Sequence, residues 1–587
     1  MDKSAILHIP LSKYAFANTE KEMTIRLRAK KKDLTSCILY YADRACNHTP
    51  IDFTSIPMKV IAEDEMFEYY EATFETPYVR VCYYFELWQN DKWTYYYADQ
   101  FTNKLADIKV NNSVIEGRSE YYQYPYILRE EVVDVPEWFK NAVVYNIFPD
   151  SFASDERILL CETPEIEIDG KKHKRRLGGT IKGIMSNLDY IKELGFDCIY
   201  LNPIFSAGEY HKYDILDYYH IDPCLGTDEE FRELVNEIHN RDMHIIIDGV
   251  FNHCSWEFFA FEDVVCNGLN SKYKDWFYEL KYPVIKPDNS TDTPNYACFA
   301  YERKMPKLNT SNKEVQEYFE KVCRYWIREF KIDGWRLDVA NEIDRNFWRG
   351  FRKAAKEEDP NIVLIGEVWE NSETWLRGDA FDSTMNYDFR KHCRDYFALN
   401  IEDAITFSWN INQMRLRYPT NISDSQLNLL DSHDVPRFLS LCKDDVDKWK
   451  LAFIFLMLAP GVPSMFYGDE KGISGITENE YRSPMVWEES NTTMKQFVKK
   501  IISIRKEYVD YRSNYEQYVS ENNSQLFTFA RSNQKLKILI YMNVSNEKVK
   551  VELPSDEMLI LGERIENGGI QSWGYCIYLM ETGTILA

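Results

Sequence analysis

Between Ala142 and Glu470 a short apolar run recurs eight times: AVVYNIF, DCIYLNPIF, HIIIDGVF, IDGWRLDV, IVLIGEVW, STMNYD, QLNLLDSHD and VPSMFYGDE. Most of the intervening stretches, such as TIKGIMSNLDYIKELG and TDEEFRELVNEIHNRD, repeat their apolar residues at helical spacing. Strands joined by helices pair in parallel, because a tight hairpin cannot connect them. Eight such units in series predict a closed (β/α)8 barrel, a TIM barrel, whose functional groups gather at the carboxyl ends of the strands. STMNYD carries the weakest strand pattern of the eight.

One linker is too long for a simple turn. The stretch between HIIIDGVF and the helical run NKEVQEYFEKVCRYWIREF is rich in Pro, Asn, Tyr and Trp. Residues 254–309 therefore read as a lobe inserted after strand three that walls the barrel mouth. Upstream, MTIRLRAK, SCILYYAD, FEYYEATFE and VRVCYYFELWQ are strand-like with no helical period, which predicts an N-terminal β-sandwich over residues 1–130. The segment Val133 to Lys140, with Pro136, marks the boundary. Downstream, LFTFARS, KILIYMNV, VKVELP and YCIYLMET predict a C-terminal antiparallel β domain over 508–587. The barrel then spans 131–507, and the fold class is multidomain.

Charge narrows the partners. With 94 acidic against 70 basic residues the chain carries −24, which disfavours nucleic acid and anionic membranes and suits a neutral ligand. Thirteen cysteines, an odd number without CxxC pairs or zinc spacing, suggest free thiols in a reducing compartment. The N-terminus MDKSAILHIPLSKYAF has no basic region followed by an apolar core, and no apolar run approaches the ~20 residues of a membrane span. The expected location is cytoplasmic. Forty-one Tyr and 14 Trp exceed what packing demands, and aromatic faces of this kind stack on sugars.

Polar groups cluster at four strand ends: Asp248, Asn252 and His253; Arg336 and Asp338; Glu367; His433 and Asp434. A single carboxylate after an apolar run says little in so acidic a chain. Four clusters at nearby barrel strands, interleaved with His and Arg, point to one site at the barrel mouth. Between Ile332 and Glu370 the chain reads strand, helix, strand, the helix carrying Phe347, Trp348 and Phe351, so Asp338 and Glu367 are delivered to the same edge. Paired carboxylates facing one cavity are the equipment for glycosidic bond chemistry.

The runs DGVFNH, GWRLDVANE, GEVW and LLDSHD resemble the four signatures of the α-amylase family of retaining glycoside hydrolases. MPKLN, Met305 to Asn309, resembles the marker of its neopullulanase, cyclomaltodextrinase and maltogenic amylase group. The resemblance implies Asp338 as nucleophile, Glu367 as general acid and base, and Asp434 as the third carboxylate, which holds sugar hydroxyls. It implies substrate contacts from His211 and Tyr213 of HKYD, His253, Phe299, Trp369, His433 and Arg482, with Asp248 positioning Arg336 and the groups around it. Arg336, two residues from Asp338 and so on the same strand face, is expected to hold that carboxylate ionised. Neutral α-glucan oligosaccharides are the implied substrates, with no cofactor. In the same group the N-terminal domain builds a homodimer, and the aromatics Tyr69, Tyr70, Tyr83, Tyr84, Phe85, Trp88, Trp93 and Tyr95 to Tyr97 are more than one small sandwich core is expected to bury; the same aromatics would serve a surface carbohydrate-binding module, the alternative reading of this domain. Two features depart from the pattern. Members often bind calcium after the first barrel strand, but Asp155 here is followed by Ile158, Leu159 and Leu160, which lack oxygen ligands, so no metal is expected there. Glu478 stands where an Asp usually precedes Arg482. An α-1,6-acting hydrolase shares the same barrel and acids; a non-catalytic carbohydrate-binding relative would have lost them.

Overall fold

The computed structural model describes residues 1–46, 51–103, 121–129, 132–155, 166–168, 170–488, 492–555, 558–566 and 568–582. The run Ile158 to Leu160, on which the metal expectation rests, lies outside the described residues. The chain forms two compact units, Met1–Asp134 with Glu402–Asp424, and Val135–Ile401 with Ser425–Ala587.

In the first unit two antiparallel sheets face each other. One orders the strands Ala15–Ala17, Glu22–Lys30, Phe67–Glu75 and Lys59–Glu63. The other is built on Ser36–Asp43 and Val81–Gln89. Along Phe67–Glu75 burial alternates residue by residue, as a strand with one covered face requires. Val81–Gln89 differs, because both of its faces are covered. Val81, Tyr83, Phe85 and Leu87 enter the inter-sheet core, while Cys82 and Tyr84 join a separate cluster with Tyr121 on the opposite face. There Tyr84 stacks parallel to Tyr40 at 4.9 Å and meets Phe53 edge-on at 4.9 Å. The aromatic surplus read from the sequence is thus largely absorbed by a second small core on the outer face. Segment Glu402–Asp424 contributes helices Ala404–Arg415 and Thr420–Ser423 to this unit. The nearly fully buried Arg26 donates to the carbonyls of Lys13 (3.2 Å) and Tyr418 (3.1 Å) and pairs with Glu71 at 2.6 Å.

In the second unit the eight apolar runs are the eight strands of a closed parallel barrel: Val144–Ile147, Cys198–Leu201, His244–Gly249, Gly334–Leu337, Val363–Gly366, Ser383–Asn386, Leu427–Leu429 and Val462–Phe466. Their near-continuous burial follows from helices outside and side-chain layers inside. Register fixes the site. Asp248 pairs with Arg336 and Arg336 with Ile365, so Asp338 and Glu367 emerge from adjacent strands one step beyond their ends.

Helix Lys313–Phe330 starts at Asn312, whose side chain accepts from the Glu314 and Val315 amides, and buries Val315, Phe319, Val322, Trp326 and Phe330 along one face. Helix Arg345–Glu358 is capped by Asp344 in the same way and buries Phe347, Trp348 and Phe351. Its Trp348 indole donates to the Ala340 carbonyl at 2.9 Å, tying the helix to the turn that follows Asp338. The inserted lobe leaves and rejoins the barrel at one place. The Leu308 amide donates to Asn252 (3.0 Å) and the Cys254 amide to Pro306 (3.1 Å), which sets His253 beside the MPKLN run. An antiparallel C-terminal sheet is centred on Leu536–Asn543 and Gly569–Glu581.

Strand four begins at a glycine for a steric reason. A Cβ on Gly334 would lie 2.5 Å from Val363 Cγ1 and 2.8 Å from Ile246 Cγ1, on the two neighbouring strands. Gly334→Ala should therefore cost about 1–3 kcal/mol in urea unfolding of the barrel. An unchanged midpoint would show that the strands yield there.

Candidate active site

Arg336 is fully buried at the centre of the barrel mouth. Its Nη1 donates to Asp248 at 3.0 and 3.1 Å and to Asp338 Oδ1 at 2.7 Å, and its Nη2 lies 3.0 Å from Glu367 Oε1 and 3.9 Å from Asp434 Oδ2. Strands three, four, five and seven each deliver one of these acids. A guanidinium buried this deeply needs partners for its N–H groups, and this one is faced by four carboxylates. The acids outnumber the cation, and their ionisation reflects that. Burial raises the Asp338 carboxyl well above its ordinary range, and the facing Glu367, Asp248 and Asp434 push it the same way against Arg336. Burial also raises Asp248, opposed by Arg336 and His433. At Asp434 burial pushes upward, but His433, Arg336 and Arg482 together outweigh it and hold the carboxyl below the usual range.

Around this centre a second layer of bonds fixes the rest. Asn202 Nδ2 lies 2.9 Å from His433 Nδ1, and His433 Nε2 lies 2.9 Å from Asp434 Oδ2. The Tyr213 hydroxyl touches the same Nε2 and donates to Asp248 at 3.2 Å, and the Tyr213 ring lies parallel to the imidazole at 5.5 Å. Tyr200 donates to Asp248 at 2.8 Å. Glu367 receives the Val339 amide on Oε2 (3.0 Å) and the Trp369 indole on Oε1 (3.1 Å). Val339 reaches Glu367 by adopting φ +44°, a left-handed conformation that a β-branched residue resists by about 1–3 kcal/mol. Strain is thus stored one residue after Asp338.

Above the acids lies a cavity of about 490 Å³. Of the residues singled out from sequence, Asp338, Glu367, Asp434, His211, Tyr213, His253, Phe299, Trp369 and Arg482 line it, together with Glu478. Asp248, Arg336 and His433 do not. They are fully buried beneath its floor. His433, expected to donate to a sugar, spends both ring nitrogens on Asn202, Asp434 and Tyr213. Burial drives His253 down to about 3, helped by Lys307, and His211 down to about 4, helped by Arg482, so both imidazoles are neutral at physiological pH. The His253 ring stacks on Phe299 at 4.8 Å. The Trp369 indole lies flat on Tyr387 at 3.6 Å with 48% of the residue exposed. Arg482 donates to the His433 carbonyl (2.8 Å) and to Asp434 (3.4 Å), and pairs closely with Glu478, which also receives the Tyr210 hydroxyl at 2.8 Å.

Several contributors escape a reading of strand ends. Tyr200 and Asn202 sit inside the apolar run DCIYLNPIF, and their only signal is two polar groups two residues apart, hence on one face. Tyr387 follows the weakest strand. Asn341 and Glu342, in the turn after Asp338, also line the cavity. Among the described residues no cluster of three or more His, Cys, Asp or Glu is placed to hold a metal ion.

This architecture has counterparts. The model of the α-amylase catalytic domain matches residues 146–537, and that of the α-amylase N-terminal Ig-like domain matches residues 1–127. Neopullulanase 2 of Thermoactinomyces vulgaris is 38% identical over 94% of this chain and 93% of its own length. An intracellular maltogenic amylase of Bacillus subtilis is 37% identical over 92% and 91%. A solved cyclomaltodextrinase structure superposes with a TM-score of 0.87 at 33% identity, covering 99% of this chain and 98% of that one. Agreement along the whole length, through barrel and flanking domains alike, makes the chain a member of the α-amylase family of glycoside hydrolases.

Proposed function

We propose that the chain cuts α-1,4-glucosidic bonds of cyclodextrins, malto-oligosaccharides and pullulan with retention, and passes glycosyl units to sugar acceptors as a side reaction. The observation that carries this reading is the single guanidinium that holds Asp338 and Glu367, from adjacent strands, under one aromatic-walled cavity. Asp338 is the nucleophile. With the proton that the two facing acids share lying on Glu367, the Asp338 carboxylate attacks the anomeric carbon as Glu367 gives that proton to the departing glycosidic oxygen, leaving a glycosyl ester on Asp338. Water then yields a proton to Glu367 and its oxygen to the anomeric carbon, and Asp338 leaves as carboxylate. Asp434, held ionised by Arg336, His433 and Arg482, binds sugar hydroxyls and faces the positive charge that develops on the ring. Tyr213, Phe299 and Trp369 supply faces for an uncharged substrate.

The relatives' names support the substrate class, and that of the Bacillus subtilis enzyme supports a cytoplasmic location, as do the free thiols Cys198, Cys224, Cys254 and Cys323. No helix among the described residues is long and apolar enough to cross a membrane. A homodimer through the N-terminal domain is supported by the half-buried rings of Tyr40, Trp88, Trp93 and Tyr95 on the outer face of its second sheet.

Product chromatography of the wild type should show cyclodextrins opened to short maltosaccharides and pullulan cut to panose; maltotriose from pullulan would mean α-1,6 specificity instead. Asp338→Asn should lower turnover on the order of 10⁴-fold or more. The same variant should melt higher than wild type at pH 7. Because the native Asp338 pKa is raised above the ~3.9 of an unfolded chain, the folded state keeps its proton longer, and stability is lost as pH climbs through that window. An amide has no such loss, so calorimetry should find the gap closing near pH 4. A lower melting point at pH 7 would show that Arg336 overcompensates the repulsion.

Trp369 does two jobs that substitutions can separate. Trp369→Phe keeps a ring on Tyr387 but loses the N–H to Glu367, and should lower kcat by about tenfold with the hydrolysis to transfer ratio unchanged. Trp369→Ala should also raise that ratio at high acceptor concentration, because water then competes at an unstacked acceptor site. Equal ratios in all three proteins would remove Trp369 from acceptor binding. For the assembly, light scattering at micromolar concentration should give twice the 69.7 kDa chain mass, and a monomer would refute the dimer.

A further inference from the structure

Beside the main cavity lies a smaller space of about 240 Å³ that the mechanism above does not use. His211 and Met305 face both spaces and form their common wall. The rest of its lining is Glu209, Ser290, Glu302, Arg303 and Lys304, two acids, two bases and a hydroxyl. All four charged groups have hydrogen-bond partners. Glu209 is held by Lys174 at 3.1 and 3.2 Å and closely by Lys304, the Lys304 amide donates to Glu302 at 3.1 Å, and the Arg303 guanidinium rests on the Pro287 and Asp288 carbonyls. With two acids against two bases the alcove carries no net charge to favour an anion or a cation. It offers fixed donors and acceptors to a neutral polyhydroxyl group. Its volume corresponds to about eight waters, which suits one sugar ring.

We propose that this alcove is an accessory subsite that receives one glucosyl unit carried by the sugar seated against His211. The proposal rests on the α-glucan reading above. The unit is either the next residue of a linear chain or an α-1,6-linked branch, and the chemistry recognised is the same. An enzyme with this alcove selects substrates by what hangs on the donor side of the cut, beyond the sugars that the main cavity holds.

The test compares kcat/KM on 4-nitrophenyl α-glucoside, maltohexaose, cyclomaltoheptaose and 6-O-α-glucosyl-cyclomaltoheptaose, for wild type, Ser290→Trp and Glu302→Leu. Ser290 is exposed on the lobe and touches none of the acids, so a bulky side chain there fills the alcove without strain on the core. The aryl glucoside has no unit to place in the alcove and should be unaffected. Both variants should lose about fivefold or more on maltohexaose if the linear chain enters, or on the branched cyclodextrin alone if the branch does. Unchanged constants on all substrates, or a uniform fall that includes the aryl glucoside, would overturn the subsite while leaving the hydrolase intact. Failure of the wild type on every α-glucan would instead overturn the functional reading itself.

Discussion

One buried guanidinium sets the terms for the barrel mouth. Arg336 is fully buried, so its N–H groups need partners within the protein, and it faces carboxylates from four strands at once. That requirement reaches down into the fold. A one-residue slip of strand four against strand three would turn Arg336 away from Asp248 and leave a bare cation in the core. The glycine that lets strand four sit close to its neighbours, and the Trp348 bond that fixes the turn after Asp338, serve the same geometry. Four acids around one cation cannot ionise independently, and the raised Asp338 carboxyl records the frustration of holding nucleophilic groups together before a substrate arrives.

Much of this was legible in the sequence because barrel strands are covered on both faces and therefore read as continuous apolar runs. All eight runs became strands, even STMNYD, whose pattern was faint. The acids were legible because they interrupt such runs at the end where barrels place chemistry. What spacing does not convey is depth. Asp248, Arg336 and His433 sit below the floor while His253 and Arg482 reach the cavity, and that difference arises from side-chain length and from partners on other strands. Tyr200 and Asn202 are hidden for the opposite reason, as polar residues within a run that otherwise has the composition of a packed strand. The left-handed Val339 has no sequence signal at all, since the residue type argues against the conformation it adopts.

Aromatic abundance turned out to have several uses. In the first unit rings fill two cores on the two faces of one sheet, in the barrel Trp326, Trp335 and Trp348 are packed out of reach of solvent, and only a few, Phe299 and Trp369 among them, present faces to the cavity. A composition can suggest sugar stacking, but the allotment of rings between packing and binding is decided by the tertiary fold.

The segment Glu402–Asp424 belongs in space to the first unit and in sequence to the connection between barrel strands six and seven. Its Asn412 and Gln413 side chains donate to the Glu63 carbonyl and to Asp64, and its Tyr418 carbonyl receives Arg26. As the chain leaves the ribosome, the sandwich strands emerge first, yet Arg26 must wait for Tyr418 until six of the eight barrel strands have been made. Domains usually fold in the order of their synthesis. Here the first unit to appear stays unfinished until most of the second has been translated, which binds the two halves of the chain into one order of assembly.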